Sequence, residues 1–490
     1  MKALKTAAVL TGLLLTASLC GCAEGGGSSG ESSSADESRA ETTASVTSAA
    51  EAETSSAGEE ESRPEPVSEA EVSEAEPVIE IDPLDELCAV LPDGELEVKE
   101  VRRLAHTALE KSADGRGLPS EQAFDRKYGG RVVTDTVPFE ERYTKLAAMV
   151  MSNNSPDIIP ADDMDLFPKG AVEGLFEPID KYIDFSSELW KDSAALSDLL
   201  TFKGERYGAA LEAEPRYVCI YSKKTVAEKG LDDPAGLADR ELWTHGWLDT
   251  VCGNFAKVSE GKFALGGKAF PDALSQSGGV PLITMEKGQI LSNIENDTLA
   301  ETQKWMYRLN EDGLYSENAE RGGTLFWADS LDVLTEGGGQ AESFGDIRGG
   351  DVMFVPVPSE DKTVMPARLR GYFICRGSRN AHGAAAYLNC LKAGARLDEE
   401  ARERRLTEVC GWNEEMIVMR RQCFLLAQDR PVLDFTEGMP EEIYTRLLKG
   451  VSGRTMSGED AAEWTETAEE VRKQLSYAVM KANDTEPTGP

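Results

Sequence analysis

Apolar and polar positions alternate with two different periods along the body of this chain. Leu96-Glu97-Val98-Lys99-Glu100-Val101 places an apolar side chain at every second position, and this spacing predicts a first strand. Pro119 to Tyr128 reads as a helix, opened by its proline and closed by Gly129-Gly130. Arg131 to Val137 reads as a second strand. Over Phe139 to Met151 the residues Tyr143, Leu146, Ala147 and Val150 fall on one helical face. Pro156-Asp157-Ile158-Ile159 predicts a short buried strand. Val352 to Val357 is again strand-like, and His382 to Leu391 helical. Strand and helix in alternation predict an α/β sheet. Nothing repeats at a fixed period, so no solenoid is expected.

The first 80 residues follow neither period. Lys2 and Lys5 precede an almost uncharged apolar run, Ala7 to Leu19. That run falls short of the roughly 20 residues needed to span a bilayer and has the proportions of a secretory signal. Leu19-Cys20-Gly21-Cys22 ends it and resembles the lipobox of bacterial lipoproteins, which implies cleavage after Gly21 and lipidation of Cys22. A soluble secreted protein in which Cys22 is incidental is the alternative. A diacylated cysteine meets the need for two acyl chains in stable anchoring. Residues 23–80 are Ser, Ala, Glu, Gly and Thr with a few prolines, with about 16 acids against Arg39 and Arg63 and no aromatic residue. Such a composition predicts disorder. As a flexible chain the segment has an r.m.s. span of roughly 40 Å and reads as a tether.

The formal charge of the whole chain is −37. About −25 of it remains on residues 81–490 once tether and signal are set aside. This acidity argues against nucleic acid and against docking on anionic lipid. About 410 folded residues predict two lobes. The body carries seven cysteines, Cys88, Cys219, Cys252, Cys375, Cys390, Cys410 and Cys423, none in a CxxC pair. Buried free thiols are expected. His106, His245 and His382 lie apart from them, so no zinc site or other cofactor is expected. HExxH is absent, and so is GxSxG from residues 81–490. Gly261 to Lys268 resembles a phosphate loop, but its lysine is one place late and Ala269 replaces the hydroxyl, so it reads as a turn.

Several runs resemble extracellular solute-binding proteins of ABC transporters, in the maltose-binding-protein-like group. They are Phe124 to Val133, Tyr143 to Ser152, Ser155 to Ile159, Glu177-Pro178-Ile179-Asp180, Lys203 to Gly208, Ile220 to Lys224, Gly230 to Pro234, Val355 to Pro358 and Gly371 to Ile374, in that order. The resemblance implies a two-lobed, type II periplasmic-binding-protein-like α/β fold whose hinge is crossed about three times. The crossings are expected near Tyr207 to Tyr217, Gly322 to Phe326 and Arg368 to Ile374. Lobe 1 is then about 95–212 and 322–370, and lobe 2 about 213–321 and 371–485. It further implies a monomer that captures a small solute, a sugar or oligosaccharide, and hands it to ABC transporter permease subunits at the outer face of a bacterial membrane.

Carboxylates accept from sugar hydroxyls and flat rings cover sugar C–H faces. Asp162, Asp163 and Asp165 follow a strand at its carboxyl end, where open α/β sheets bind ligands. A solvated loop or helix cap is the other reading of that cluster. Glu212 stands where the maltose-binding group carries a sugar-contacting glutamate, and Trp327 near a stacking tryptophan of the family. Either residue reads equally as packing. Arg216, Tyr217, Arg370 and Tyr372 are further ligand-binding candidates beside the hinge. Trp243, Trp305 and Trp464 read as packing residues. A glycan-degrading surface lipoprotein remains an alternative, since a pair of carboxylates about 5.5 Å or 6.5–9.5 Å apart is all a glycosidase needs. A sensory or structural surface protein on the same fold is another.

Overall fold

A computed structural model describes residues 82–161, 164–335, 341–360, 362–458, 465–466 and 468–473. The signal, Cys22, the tether, Asp162, Asp163 and Trp464 lie outside the described residues.

Two sheets carry the body. In the first, Arg131–Thr136, Glu100–Ala105, Ile158–Pro160 and Met365–Ile374 lie side by side in that order. Gly208–Pro215 pairs antiparallel along the other edge of Met365–Ile374, and Pro431–Leu433 runs parallel beside its start. The second sheet orders Tyr315–Ser316, Leu265–Gly266, Phe326–Asp329, Val218–Ser222 and Val352–Pro356. The fold is therefore mixed α/β.

Local chemistry accounts for most element ends. The helix Pro119–Tyr128 stops at Gly129, whose φ of 62° suits glycine; its N–H donates to the Asp125 carbonyl and that of Gly130 to the Phe124 carbonyl. Its buried Phe124 and Tyr128 pack toward the 25-residue helix Ala381–Arg405. The expected first strand starts later than its alternation predicts, at Glu100. Val98 is 45% exposed, while Val101, Leu104 and Ala105 are fully buried, so the core begins after the alternating run. Helix Arg142–Met151 is shorter than expected because a 3-10 turn, Phe139–Glu141, leads into it.

The lobe boundaries differ from the expected ones. Phe326–Asp329 pairs antiparallel with Val218–Ser222, Phe326 opposite Tyr221, so residues near 322–326 are not a crossing but part of the second sheet. Met365–Ile374 belongs to the first sheet, so Arg368 to Ile374 is no crossing either. The chain leaves the first sheet between Pro215 and Val218 and returns between Pro356 and Met365. Helix Ala381–Arg405 then leads from the first core to Trp412 and Met416 in the second, and Pro431–Leu433 comes back. Antiparallel pairing with the one strand that follows the hinge decides membership, and a sequence does not display it.

The second sheet encloses one core around Phe326, Tyr221 and Trp243. The first sheet has a core on each face, one around Phe167 and Phe373, the other around Phe124 and Tyr387. Trp243 and Trp305 are buried packing residues, as expected. All seven body cysteines are free, five of them buried. Among the described residues no helix is long and apolar enough to cross a membrane.

Candidate functional site

The crossing strands present two different faces. On one, Glu212 stands opposite Arg370 and Glu214 opposite Arg368. Arg370 Nε donates to Glu212 Oε1 at 2.7 Å, and Arg368 Nε to Glu214 Oε1 at 2.8 Å. Arg368 also reaches Asp332 of the second lobe at 3.0 Å. Nearby, Arg402 pairs with Glu110 at 2.7 Å and Arg420 with Glu399. Burial alone would raise the Glu212 carboxyl, but Arg370 and Arg402 outweigh it and hold it below its usual range. Burial wins at Glu214, which is pushed up. Each arginine of this face already meets a carboxylate, so the face binds the two strands to each other. A bulge between Arg370 and Gly371 sits beside it, where a Cβ on Gly371 would lie 2.3 Å from the Ala209 carbonyl oxygen.

A cavity of about 190 Å³ opens elsewhere at the hinge. Its walls are built from ends of elements. Arg216 follows the first crossing strand. Lys268 follows Leu265–Gly266 and Glu317 follows Tyr315–Ser316, both at strand carboxyl ends. Asp272 and Gln276 belong to the helix Phe270–Gln276. Asp434, Thr436 and Glu437 follow Pro431–Leu433, and Tyr444 comes from the helix Glu441–Ser452. Leu282, Val451 and Met456 add an apolar wall.

Most polar groups here are tied to one another. Arg216 Nη2 donates to Glu437 Oε1 at 2.5 Å. Tyr217 Oη donates to Asp272 Oδ2 at 2.8 Å, and Gln276 Nε2 to Asp272 Oδ1 at 3.0 Å. Asp434 accepts from the N–H groups of Leu282, Ile283 and Thr436 and from the Thr436 hydroxyl. Gln276 Oε1 is the exception, buried without a hydrogen-bond partner. Burial and the neighbouring Asp272 push the Tyr217 phenol far up. Burial would lower Arg216, yet Tyr217, Glu437, Asp272 and Asp434 together raise it. The interior is therefore acceptor-rich and negative.

The ligand candidates from the sequence separate into three places. Arg216 lines the cavity and Tyr217 orients its Asp272. Glu212 and Arg370 come together, but as a pair on the other face, with Tyr372 packed near Tyr387. Trp327 is half-buried against Gly267, donates to Asp329 Oδ2 at 3.2 Å and is not among the residues that line the cavity. Asp165 is held by Arg142 at 2.8 Å. Asp272, Gln276, Asp434, Glu437 and Tyr444 have no counterpart in the sequence reading. Their signal is positional: Asp434 follows the short apolar run Val432-Leu433, and Lys268 the strand inside the phosphate-loop lookalike. Among the described residues no group of three or more His, Cys, Asp or Glu is arranged to hold a metal ion.

Comparison with known proteins adds a family and a fold. The family described as bacterial extracellular solute-binding protein matches residues 111–393. No curated protein matches the chain. Among solved structures, the GacH receptor of Streptomyces glaucescens, described unliganded and with acarbose, is 16% identical with a TM-score of 0.56, covering 78% of this chain and 99% of its own. The cyclic α-maltosyl-1,6-maltose binding protein of Arthrobacter globiformis is 15% identical at a TM-score of 0.57, with 77% and 98% covered. An ABC transporter solute-binding protein of Thermotoga lettingae bound to α-D-tagatose is 15% identical at 0.54, with 78% and 99% covered. At these identities the likeness is one of fold: a two-lobed, type II binding-protein architecture.

Proposed function

The chain belongs to the bacterial extracellular solute-binding protein family, and from that premise we propose that it captures one sugar, or one ring of an oligosaccharide, in the hinge cavity. The observation that carries this reading is the cavity itself. It lies at strand carboxyl ends of the second sheet, beside the crossing, and contains a buried acceptor without a donor, Gln276 Oε1. Its volume of about 190 Å³ falls below the roughly 300–1,000 Å³ of drug-sized pockets and suits a small solute. Sugar hydroxyls donate to Gln276 and Asp272, and the ring C–H face lies on Leu282, Val451 and Met456. The neighbours' ligands, acarbose and tagatose, favour the sugar class.

Binding without turnover fits the family, which is described as solute-binding. Glu437 is held by Arg216, and Asp434, which burial pushes up, by four donors. The solute is passed unchanged to an ABC transporter permease from a lipid anchor at Cys22, across the tether of residues 23–80.

A thermal-shift screen of the purified protein against mono- and oligosaccharides tests the reading. A ligand at 100 times its dissociation constant stabilises by about 2.7 kcal/mol and is recovered intact by mass spectrometry. Release of cleaved glycan at an enzyme-like rate would instead establish a glycosidase. Separately, Cys22→Ala releases the protein from the membrane fraction if the anchor is correct, and a variant that stays bound refutes it.

A further inference from the structure

We propose that the solute captured here carries a protonated amine, so that the cavity selects a hydroxylated ammonium compound of the amino-sugar class over neutral sugars. The inference rests on the reading above that this cavity is the solute site.

The charges inside do not balance. Among the lining residues Asp272, Asp434 and Glu437 face one interior cation, Arg216, with Lys169 behind Glu437 donating to its carbonyl oxygen at 3.2 Å, while Lys268 and Glu317 are exposed at the rim and offset each other. Arg216 and Glu437 neutralise one another. Asp434 receives three donors on Oδ1 and one on Oδ2, and burial pushes its carboxyl up, so it is the lesser source of negative charge. Asp272 receives one uncharged donor on each oxygen, the Tyr217 hydroxyl and the Gln276 amide, which leaves each oxygen able to accept again.

Gln276 fixes the direction of the missing partner. A carboxylate only accepts, so the amide nitrogen of Gln276 must be the atom that faces Asp272. The carbonyl oxygen is then the atom turned away, and it is the buried acceptor with no donor, on a residue 2% exposed. Beside it lies an unneutralised carboxylate. An ammonium group brings three donors and a positive charge to that place, whereas a neutral hydroxyl brings one donor and no charge.

Titration calorimetry of the full chain with glucosamine, glucose and N-acetylglucosamine, at a pH where the glucosamine amine is protonated, tests the proposal. The expected result is that glucosamine binds at least about tenfold more tightly than either neutral sugar. Asp272→Asn removes the charge at constant shape and should collapse that preference to within about threefold. Equal or tighter binding of glucose or N-acetylglucosamine overturns the amine proposal and leaves sugar capture standing. Binding of none of the three, with the melting temperature unmoved, overturns both. A preference for glucosamine that survives Asp272→Asn also overturns the proposal, because the charge would then act elsewhere.

Discussion

Glu212 and Arg370 hold each other at 2.7 Å on a face where water reaches only part of either side chain. Removing one partner leaves the other charge desolvated. Breaking a fully buried pair costs 3–5 kcal/mol, and partial exposure reduces this, so Glu212→Ala should destabilise by about 1–3 kcal/mol in urea unfolding. Unchanged stability with weakened sugar binding would return Glu212 to the ligand. His245 makes a pH-dependent contribution. It stacks on Trp305 at 3.9 Å, and burial depresses its pKa to about 4. The folded chain keeps it neutral while the unfolded chain protonates it near 6.5. Its contribution is therefore complete above about pH 6.5 and lost as pH falls towards 4, by up to about 3 kcal/mol. His245→Phe should flatten that part of the stability profile. Glu121 has the opposite sign: burial pushes it up to about 7, so its neutral form suits the fold and stability is lost as pH rises through 7. Glu121→Gln should raise the melting temperature in mildly alkaline buffer and leave it alone in acid.

The elements were legible where pattern and burial agree. Pro119 and Gly129 bracket a helix that folds between them, and Ile158-Ile159 is buried as its apolar run predicts. They were not legible where tertiary pairing decides. Leu325-Phe326-Trp327 reads as a hinge in a linear sequence, yet Phe326 is fully buried opposite Tyr221 and 5.4 Å from the Trp243 ring. Phe326→Ala should cost about 3–5 kcal/mol, and a loss below about 1 kcal/mol would remove that strand from the core. Of the proposed site, the sequence singles out only Arg216 and Tyr217, next to the crossing. Asp272, Gln276 and Asp434 lie 56, 60 and 218 positions beyond Arg216 in the numbering, and only the return of the chain at Pro431–Leu433 brings the last of them to the first.

At the scale of the molecule, two sheets are joined by the strands that cross between them, with a cavity beside the crossing. The body keeps seven free thiols, with Cys88 and Cys410 alone half-exposed. A thiol reagent should therefore label at most these two body cysteines quickly in the native protein, and the remaining five only on unfolding. The central claim is that the hinge cavity is where solute binds, and Gln276→Leu tests it most directly. The substitution deletes the buried acceptor of the cavity wall that lacks a donor while keeping volume nearly constant. The Gln276 Nε2–Asp272 hydrogen bond goes with it, so stability should fall by about 1–2 kcal/mol, while a ligand donor left unpaired costs about 1–3 kcal/mol in binding. Calorimetry with the sugar found by the screen, at a temperature where Gln276→Leu is still folded, should show affinity reduced by roughly ten- to a hundredfold. Full affinity in Gln276→Leu would contradict the account and place the solute elsewhere.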